Sequence, residues 1–350
     1  MKFIHCSDIH LDSSMKNFNE SKARERRDEL RLSFSGMISY AISEGVKAII
    51  IAGDLFDNVV LKKTKEYVYD EIESNQEIDF LYLSGNHDES NFMVEFSKNL
   101  PNLKILSTTP VIYDDVCIYG FSPIFESEYD KFLLDESKTN IVVMHGQVDN
   151  YTIKKDYICL RKLKGKNIDY LAMGHIHSFT EYELEDGVSA VYSGCLEGRG
   201  FDEVGEKGFV MLSVKDKKVN YSFLPFSKRK HHVVSIDISG KERIREIDGW
   251  ITDNLINIPQ KDLVKVELVG EVSVEAVIDC EHISKMLSDR FYFVKVSDKT
   301  RLKLNKEQFE NDISLKGVFI KKVLNSGLSE KEQETIIRYG IKALNGEEIE

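Results

Sequence analysis

Lys47-Ala48-Ile49-Ile50-Ile51-Ala52-Gly53-Asp54-Leu55-Phe56-Asp57 is an apolar, β-branched run that breaks off at Gly-Asp. A short run closed by a glycine predicts a strand buried on both faces, in a sheet covered by helices. The Asp54 carboxylate then stands just past the carboxyl end of its strand, where open α/β sheets bind ligands. The layout recurs along the chain. Phe3-Ile4-His5-Cys6-Ser7 runs into Asp8-Ile9-His10, and Asp79-Phe80-Leu81-Tyr82-Leu83-Ser84 into Gly85-Asn86-His87-Asp88. Asn140-Ile141-Val142-Val143-Met144 runs into His145-Gly146, and Asp169-Tyr170-Leu171-Ala172-Met173 into Gly174-His175-Ile176-His177. Each strand gives way to Asp, Asn or His, residue types that hold metal ions.

The stretches between these ends supply the scaffold. A polar segment runs to about Glu25, and Leu30, Phe34, Met37, Ile38, Ala41 and Ile42 then recur at helical spacing over 28–43, ended by Gly45. With the flanking strands this is a parallel crossover unit. Residues 62–75 predict a second helix with Tyr67, Val68 and Ile72 inward, and 91–99 a weaker one. Residues 103–120 alternate as hairpin strands, and 188–226 predict an antiparallel meander. A composition shift at Phe226-Ser227-Lys228-Arg229-Lys230-His231-His232 marks a boundary. Beyond it, residues 233–300 alternate strand and helix as a small α/β domain. Residues 306–350 read as a helical tail. Leu315, Val318, Phe319, Val323 and Leu324 form one apolar face of that tail. Ser329 and Glu332 then form a capping box ahead of Ile336, Ile337, Ile341 and Leu344.

A chain of 350 residues has room for more than one core. No apolar run approaches membrane-spanning length, and the N-terminus does not read as a secretory signal. The five cysteines lie far apart without a CxxC pair, so free thiols and a cytoplasmic location are expected. A net charge of −12 argues against the simplest nonspecific nucleic-acid binder. Acidic metal ligands contribute to that charge, and bound cations would reverse it locally.

An Asp-x-His arises by chance about once in a chain this long, whereas Gly-Asn-His-Asp arises on the order of once per several hundred chains. The conjunction is the informative feature, because every piece sits at the end of a buried strand. Asp8-Ile9-His10, Gly53-Asp54-Leu55-Phe56-Asp57, Gly85-Asn86-His87-Asp88, His145-Gly146 and Gly174-His175-Ile176-His177 resemble, in order, the five signatures of the calcineurin-like metallophosphoesterases. The resemblance covers about residues 1–226. Ser7-Asp8-Ile9-His10-Leu11-Asp12, Gly-Asp-Leu-Phe-Asp and Tyr192-Ser193-Gly194 resemble most the SbcD-type DNA repair exonucleases. Cys195-Leu196-Glu197-Gly198-Arg199-Gly200-Phe201-Asp202-Glu203 is similar to a YhaO-like subgroup.

This resemblance implies a four-layer α/β sandwich over 1–226, a small α/β cap at 233–300 and a helical tail at 306–350. It implies two divalent ions, manganese foremost, with iron or magnesium as alternatives. Asp8, His10, Asp54 and His177 would hold one, and Asp54, Asn86, His145 and His175 the other, so that Asp54 bridges. A water activated between the ions would attack phosphorus in line. His87 is the candidate to protonate the leaving oxygen or steady the transition state, and Asp88 either orients it or caps the next helix. Archaeal and eukaryotic members carry His where this chain has Asp57, so Asp57 is left out of the catalytic set. The family reading also gives a DNA substrate, a homodimer, and docking of the tail on an SbcC-like coiled-coil ATPase. A nucleotide phosphodiesterase or phosphatase of the same superfamily is the alternative, and the acidic charge favours it.

Outside the site, His5 reads as a packed core histidine and His231 and His232 as solvated linker residues. The basic clusters at Lys62-Lys63, 161–166 and Lys228-Arg229-Lys230 read as solvated faces, or as a track for a phosphate backbone. Arg199, between two glycines, is the expected substrate phosphate contact.

Overall fold

A computed structural model describes residues 1–88, 91–121, 133–149, 157–304, 309–310, 312–344 and 346. The chain divides into two compact units, Met1–Lys230 and His231–Glu350. The first unit opens with β1 (Lys2–Cys6), α1 (Glu20–Ser43), β2 (Ala48–Ala52), α2 (Lys62–Ser74), β3 (Asp79–Leu83) and α3 (Asn91–Ser97). Then come β4 (Leu103–Ile105), β5 (Val111–Tyr113), β6 (Val116–Phe121), β7 (Thr139–His145), β8 (Gln147–Val148) and β9 (Tyr157–Ile158). It closes with α4 (Leu160–Leu163), β10 (Tyr170–Gly174), β11 (Thr180–Glu185), β12 (Val188–Tyr192), β13 (Gly208–Lys215) and β14 (Lys218–Pro225).

Two six-stranded sheets carry this unit, in the orders β14-β13-β1-β2-β3-β4 and β11-β12-β10-β7-β6-β5. Each has a parallel run, β1 to β4 in one and β12-β10-β7-β6 in the other; β13 and β14 extend the first sheet antiparallel on one side, and β11 and β5 flank the second antiparallel on both. The alternation along β2 explains its unbroken apolar run. Ile49 and Ile51 face α1 and α2, meeting Phe34, Met37, Val68 and Ile72. Ile50 and Ala52 face the second sheet, in a core with Ile141, Val143 and Ala172. On the far side of that sheet, Val142, Met144, Leu171 and Met173 pack with Leu160 and Leu163 of α4. The result is the four-layer α/β sandwich. Each fully buried Ile contributes about 1.5–3 kcal/mol of transfer free energy.

In this unit two expectations about its elements need correction. The 188–226 segment is not one meander: β12 completes the second sheet, whereas β13 and β14 belong to the first. The chain crosses between sheets over residues 193–207. Helix α1 starts at Glu20, capped by the Asn19 side chain, which accepts from the Lys22 N–H. Its early turns escape an apolar reading because their inward positions include Arg26 and Glu29, which are buried as an ion pair.

The second unit comprises β15 (His231–Asp237), α5 (Ile244–Asn254), β16 (Leu263–Val269), β17 (Glu271–Val272), α6 (Cys280–Ser288), β18 (Phe293–Asp298), β19 (Arg301–Leu302), α7 (Leu315–Leu324) and α8 (Glu330–Leu344). Strands β15, β16 and β18 form a parallel sheet. Ile247 and Ile251 of α5 and Ile283 and Leu287 of α6 cover it. His231 is buried as the first residue of β15, and His232 Nε2 lies 2.9 Å from the buried Asp262 carboxylate. These histidines are therefore strand residues, not solvated linker. Helix α7 turns Ile320, Val323 and Leu324 inward and leaves Leu315 and Val318 exposed, so its apolar face differs from the expected one. Ser329 and Glu332 make the capping box of α8, with the Ser329 N–H donating to Glu332 Oε2 at 2.9 Å.

Candidate metal centre

The polar residues that follow the strands meet at one end of the first unit's two sheets. Asp8 and His10 follow β1, Asp54 follows β2, and Asn86 and His87 follow β3; His145 ends β7, and His175 and His177 follow β10. Asp8, His10 and Asp54 have φ near +50° and His175 has φ 109°, the left-handed side that L residues rarely adopt. Such conformations persist where the surroundings over-determine them. Here the first loops are laced together: Asp8 N–H donates to the Gly53 carbonyl and His10 N–H to that of Asp54, both at 3.0 Å. The glycines are required by close approach. A Cβ on Gly53 would lie 2.2 Å from His145 Nδ1, and one on Gly85 2.2 Å from Asp54 Oδ1.

Asp54 is central. Its Oδ2 lies 3.3 Å from His145 Nε2 and 3.7 Å from His10 Nε2. Its Oδ1 accepts from the His87 backbone N–H at 2.8 Å. Asn86 Oδ1 lies 2.9 Å from His145 Nε2 and 3.1 Å from His175 Nδ1. His177 Nε2 is 3.8 Å from Asp8 Oδ1. Among the described residues, three overlapping groups each have ligand atoms within 4.8 Å of one another: Asp8/His10/His177, Asp8/Asp54/His145 and His10/Asp57/His87.

These residues fit a cation. His10 is 1% exposed, yet among the described residues neither ring nitrogen has a hydrogen-bond partner. Leaving a buried polar atom unpaired costs about 1–3 kcal/mol, and coordination removes that cost. Burial, with Arg199 nearby, pushes His10 down to about 2, so the ring is neutral, as a ligand must be. Burial raises the Asp54 carboxyl, but the His145 bond and the His87 N–H outweigh it and hold Asp54 down at about 2. His145 goes the other way: burial opposes its charge, but Asp54 and Asp8 push it up to about 9.

Supporting contacts orient the ligands. His145 Nδ1 is 2.9 Å from the Ala52 carbonyl, which leaves Nε2 for the site. The Asp8 carboxylate accepts from the His175 N–H at 3.0 Å, and Ser7 Oγ donates to Asp8 while lying 2.8 Å from Ser193 Oγ. His177 Nδ1 faces Glu203 Oε1 at 2.7 Å. His87 Nδ1 lies 2.9 Å from Asn58 Nδ2 and 3.3 Å from Asp57 Oδ1.

Three residues sit otherwise than their sequence suggests. Among the described residues, Asp88 accepts from the Gly85 and Phe56 N–H groups at 2.9 Å, tying the β3 loop to the β2 loop, and makes no bond to His87. Arg199 is mostly buried, its Nη2 2.6 Å from Glu203 Oε1 and 3.0 Å from His177 Nδ1. Arg229 pairs with Glu29 at 2.8 Å and is largely internal, while Lys228, 3.3 Å from the same carboxylate, stays on the surface. His5 is a core residue, with Nδ1 3.1 Å from the Tyr170 hydroxyl. Sequence reasoning missed Asn58 and Glu203. Their signal was present: Asn58 follows the Gly-Asp-x-x-Asp motif directly, and Glu203 is one of two glutamates in the glycine-rich stretch after Tyr192-Ser193-Gly194.

The sequence model of the family described as calcineurin-like phosphoesterase matches residues 1–179, just over half of the chain and all five loops. The chain belongs to that family. This phosphoesterase is 24% identical over 298 residues to the DNA double-strand break repair protein Mre11 of Sulfolobus acidocaldarius, covering 78% of the chain and 76% of the relative. It is 25% identical over 289 residues to the uncharacterized metallophosphoesterase YhaO of Bacillus subtilis, covering 75% and 69%. Among solved structures, a dimetal phosphatase from Danio rerio superposes with a TM-score of 0.42 at 11% identity, covering 63% of the phosphoesterase and 98% of that chain. No described helix of the phosphoesterase is long and apolar enough to cross a membrane.

Proposed function

We propose that the chain is a metal-dependent nuclease that hydrolyses DNA phosphodiester bonds, with manganese the first choice of ion. The observation that carries this reading is the convergence of Asp8, His10, Asp54, Asn86, His145, His175 and His177 around Asp54, with His87 beside them. Asp8, His10, Asp54 and His177 would hold one cation and Asp54, Asn86, His145 and His175 the other. Two such cations supply an activated water and neutralise charge gathering on the phosphoryl oxygens.

The chain's own groups do the rest. His87 is anchored through its backbone N–H on Asp54, and its half-exposed ring has Nδ1 engaged by Asn58 and Asp57. Nε2 is then the nitrogen that protonates the leaving oxygen. Asp57, also 3.9 Å from His10 Nδ1, steadies both rings. Arg199 meets a phosphate oxygen from the His177 side, with Glu203 moderating its charge.

The likeness to a relative named as a double-strand break repair protein supports DNA as substrate and repair as the setting. On the same reading the enzyme works in the cytoplasm as a homodimer, with residues 233–300 as the cap. An SbcC-like coiled-coil ATPase docks on α7 and α8. The net charge of −12 favours a second reading, a phosphodiesterase or phosphatase acting on nucleotides.

The test is incubation of the full chain and manganese with a labelled duplex bearing single-stranded overhangs, or with bis-p-nitrophenyl phosphate. His87→Ala and Asp54→Ala are run alongside. Duplex cleavage lost in both variants is the expected result. Cleavage of the small diester alone moves the substrate to nucleotides, and inactivity on both overturns the assignment.

A further inference from the structure

The rings of the site are held by acceptors of different charge. Behind His145 stands the neutral carbonyl of Ala52 at 2.9 Å. Behind His177 stands the Glu203 carboxylate at 2.7 Å, itself paired with the Arg199 guanidinium, whose Nη2 lies 2.6 Å from Glu203 Oε1 and 3.0 Å from His177 Nδ1. An anionic acceptor fixes the Nδ1–H tautomer and makes the opposite nitrogen a stronger donor toward a cation.

Glu203 lies outside the strand-end motifs, on the 193–207 crossing between the sheets, and the fold builds a place for it. It is 5% exposed. Its Oε2 accepts from the Arg199 backbone N–H at 2.7 Å, and its own N–H donates to the Gly200 carbonyl at 3.0 Å. The loop is moored at Glu197, which accepts from Arg26 Nη2 at 2.9 Å, Ser33 Oγ at 2.7 Å and the Lys228 N–H at 2.6 Å. Arg26, wholly buried, also donates to the Gly198 carbonyl at 3.0 Å. A moored acid of this kind holds one orientation. The two halves of the site also differ in charge. In the assignment proposed above, the half with His177 has Asp8 and Asp54, whereas the half with His175 has Asp54 and the neutral Asn86 amide.

We infer that Glu203 is a positioning residue for His177, and that the cation on the Asp8–His177 side is the tighter bound of the two. This rests on the two-cation reading of the site.

The metal-free full chain, titrated with manganese and followed by the paramagnetic resonance of free ion, provides the test without any substrate. Wild type is expected to show two unequal affinity classes. Glu203→Gln retains an oxygen that can accept the Arg199 N–H but removes the charge. It is expected to weaken the tighter class by about 10–100-fold while the weaker class stays at its wild-type value; the metal-free melting temperature falls, because the mostly buried Arg199 loses its charge partner. An unchanged isotherm, with or without a lower melting temperature, makes Glu203 a mere turn residue and overturns the inference. So do two equal classes in wild type. Fewer than two ions in wild type sinks the two-cation reading itself, and this inference with it. A second measurement needs no variant. In imidazole nitrogen spectra of wild type, the first equivalent of zinc is expected to move the His10 and His177 signals before those of His145 and His175. The reverse order overturns the assignment.

Discussion

The metal end of the first unit and the helical hairpin that closes the second follow opposite plans. Strand β2 is wholly buried, its residues alternating between helices and the second sheet. Helix α8 buries Ile337 alone, and Ile336, Tyr339 and Leu344 stay exposed. A segment gripped on all sides can hold loops in left-handed conformations, as it does at Asp8, His10 and Asp54. A helix gripped along one line cannot store strain, but it keeps a surface open. Fixed loop geometry therefore sits at the first place and exposed apolar surface at the second.

The contrast can be challenged by substitution. The largest effect is expected at Asp54→Asn, which halves the acceptor charge at the centre of the site. Manganese-dependent hydrolysis of bis-p-nitrophenyl phosphate should fall by about a thousandfold, about 4 kcal/mol of barrier, with circular dichroism unchanged. Activity within tenfold of wild type would remove Asp54 from its central role. Next, Ile50→Ala should destabilise the first unit by about 2–5 kcal/mol in urea unfolding, since both neighbouring layers are rigid. The matching Ile337→Ala should cost about 2 kcal/mol, because a one-sided contact can collapse. Hydrogen exchange should speed up in α7 and α8 alone. Equal losses at the two positions would erase the distinction.

A smaller effect tests the buried ion cluster behind the crossing. Burial raises the Glu29 carboxyl, but Arg229 and Arg26 outweigh it and hold it below its ordinary 4.5. A depressed carboxyl gives stability that is complete above the unfolded-state value and is lost as pH falls through the folded one. Wild type should thus lose denaturation midpoint more steeply than Glu29→Gln as pH drops below about 4.5. Parallel pH profiles would mean that Glu29 contributes no linkage. Smallest of all, Val318→Ser on the exposed side of α7 should change stability by no more than about 0.5 kcal/mol. A larger loss in thermal unfolding would reveal packing that the hairpin does not display.

The sequence discloses the strand ends because their signal is local. An apolar run, a glycine and a metal-type residue lie within a few positions, and the run is apolar throughout because both faces of the strand are covered. Residues that depend on distant partners stay hidden. Arg26 and Glu197 give no local sign of each other; the fold brings them together across 171 positions. Glu203 and His177 are 26 positions apart on either side of a hairpin, and only the tertiary fold pairs them. His231 looked solvated because the basic residues before it end where β15 begins. The supposed meander failed for the same reason: alternation identifies a strand but not the sheet it joins.

The pairing of β1 also shapes how the molecule is made. His5 of β1 is matched with Val210 of β13, whose codon is translated more than two hundred residues later. At about 5–20 residues per second, that strand waits on the order of ten to forty seconds for its antiparallel neighbour. During synthesis its outer edge lies open, an invitation to other nascent chains. Cover of the first emerging segment during synthesis is thus a demand set by the order of the strands and separate from the stability of the finished fold.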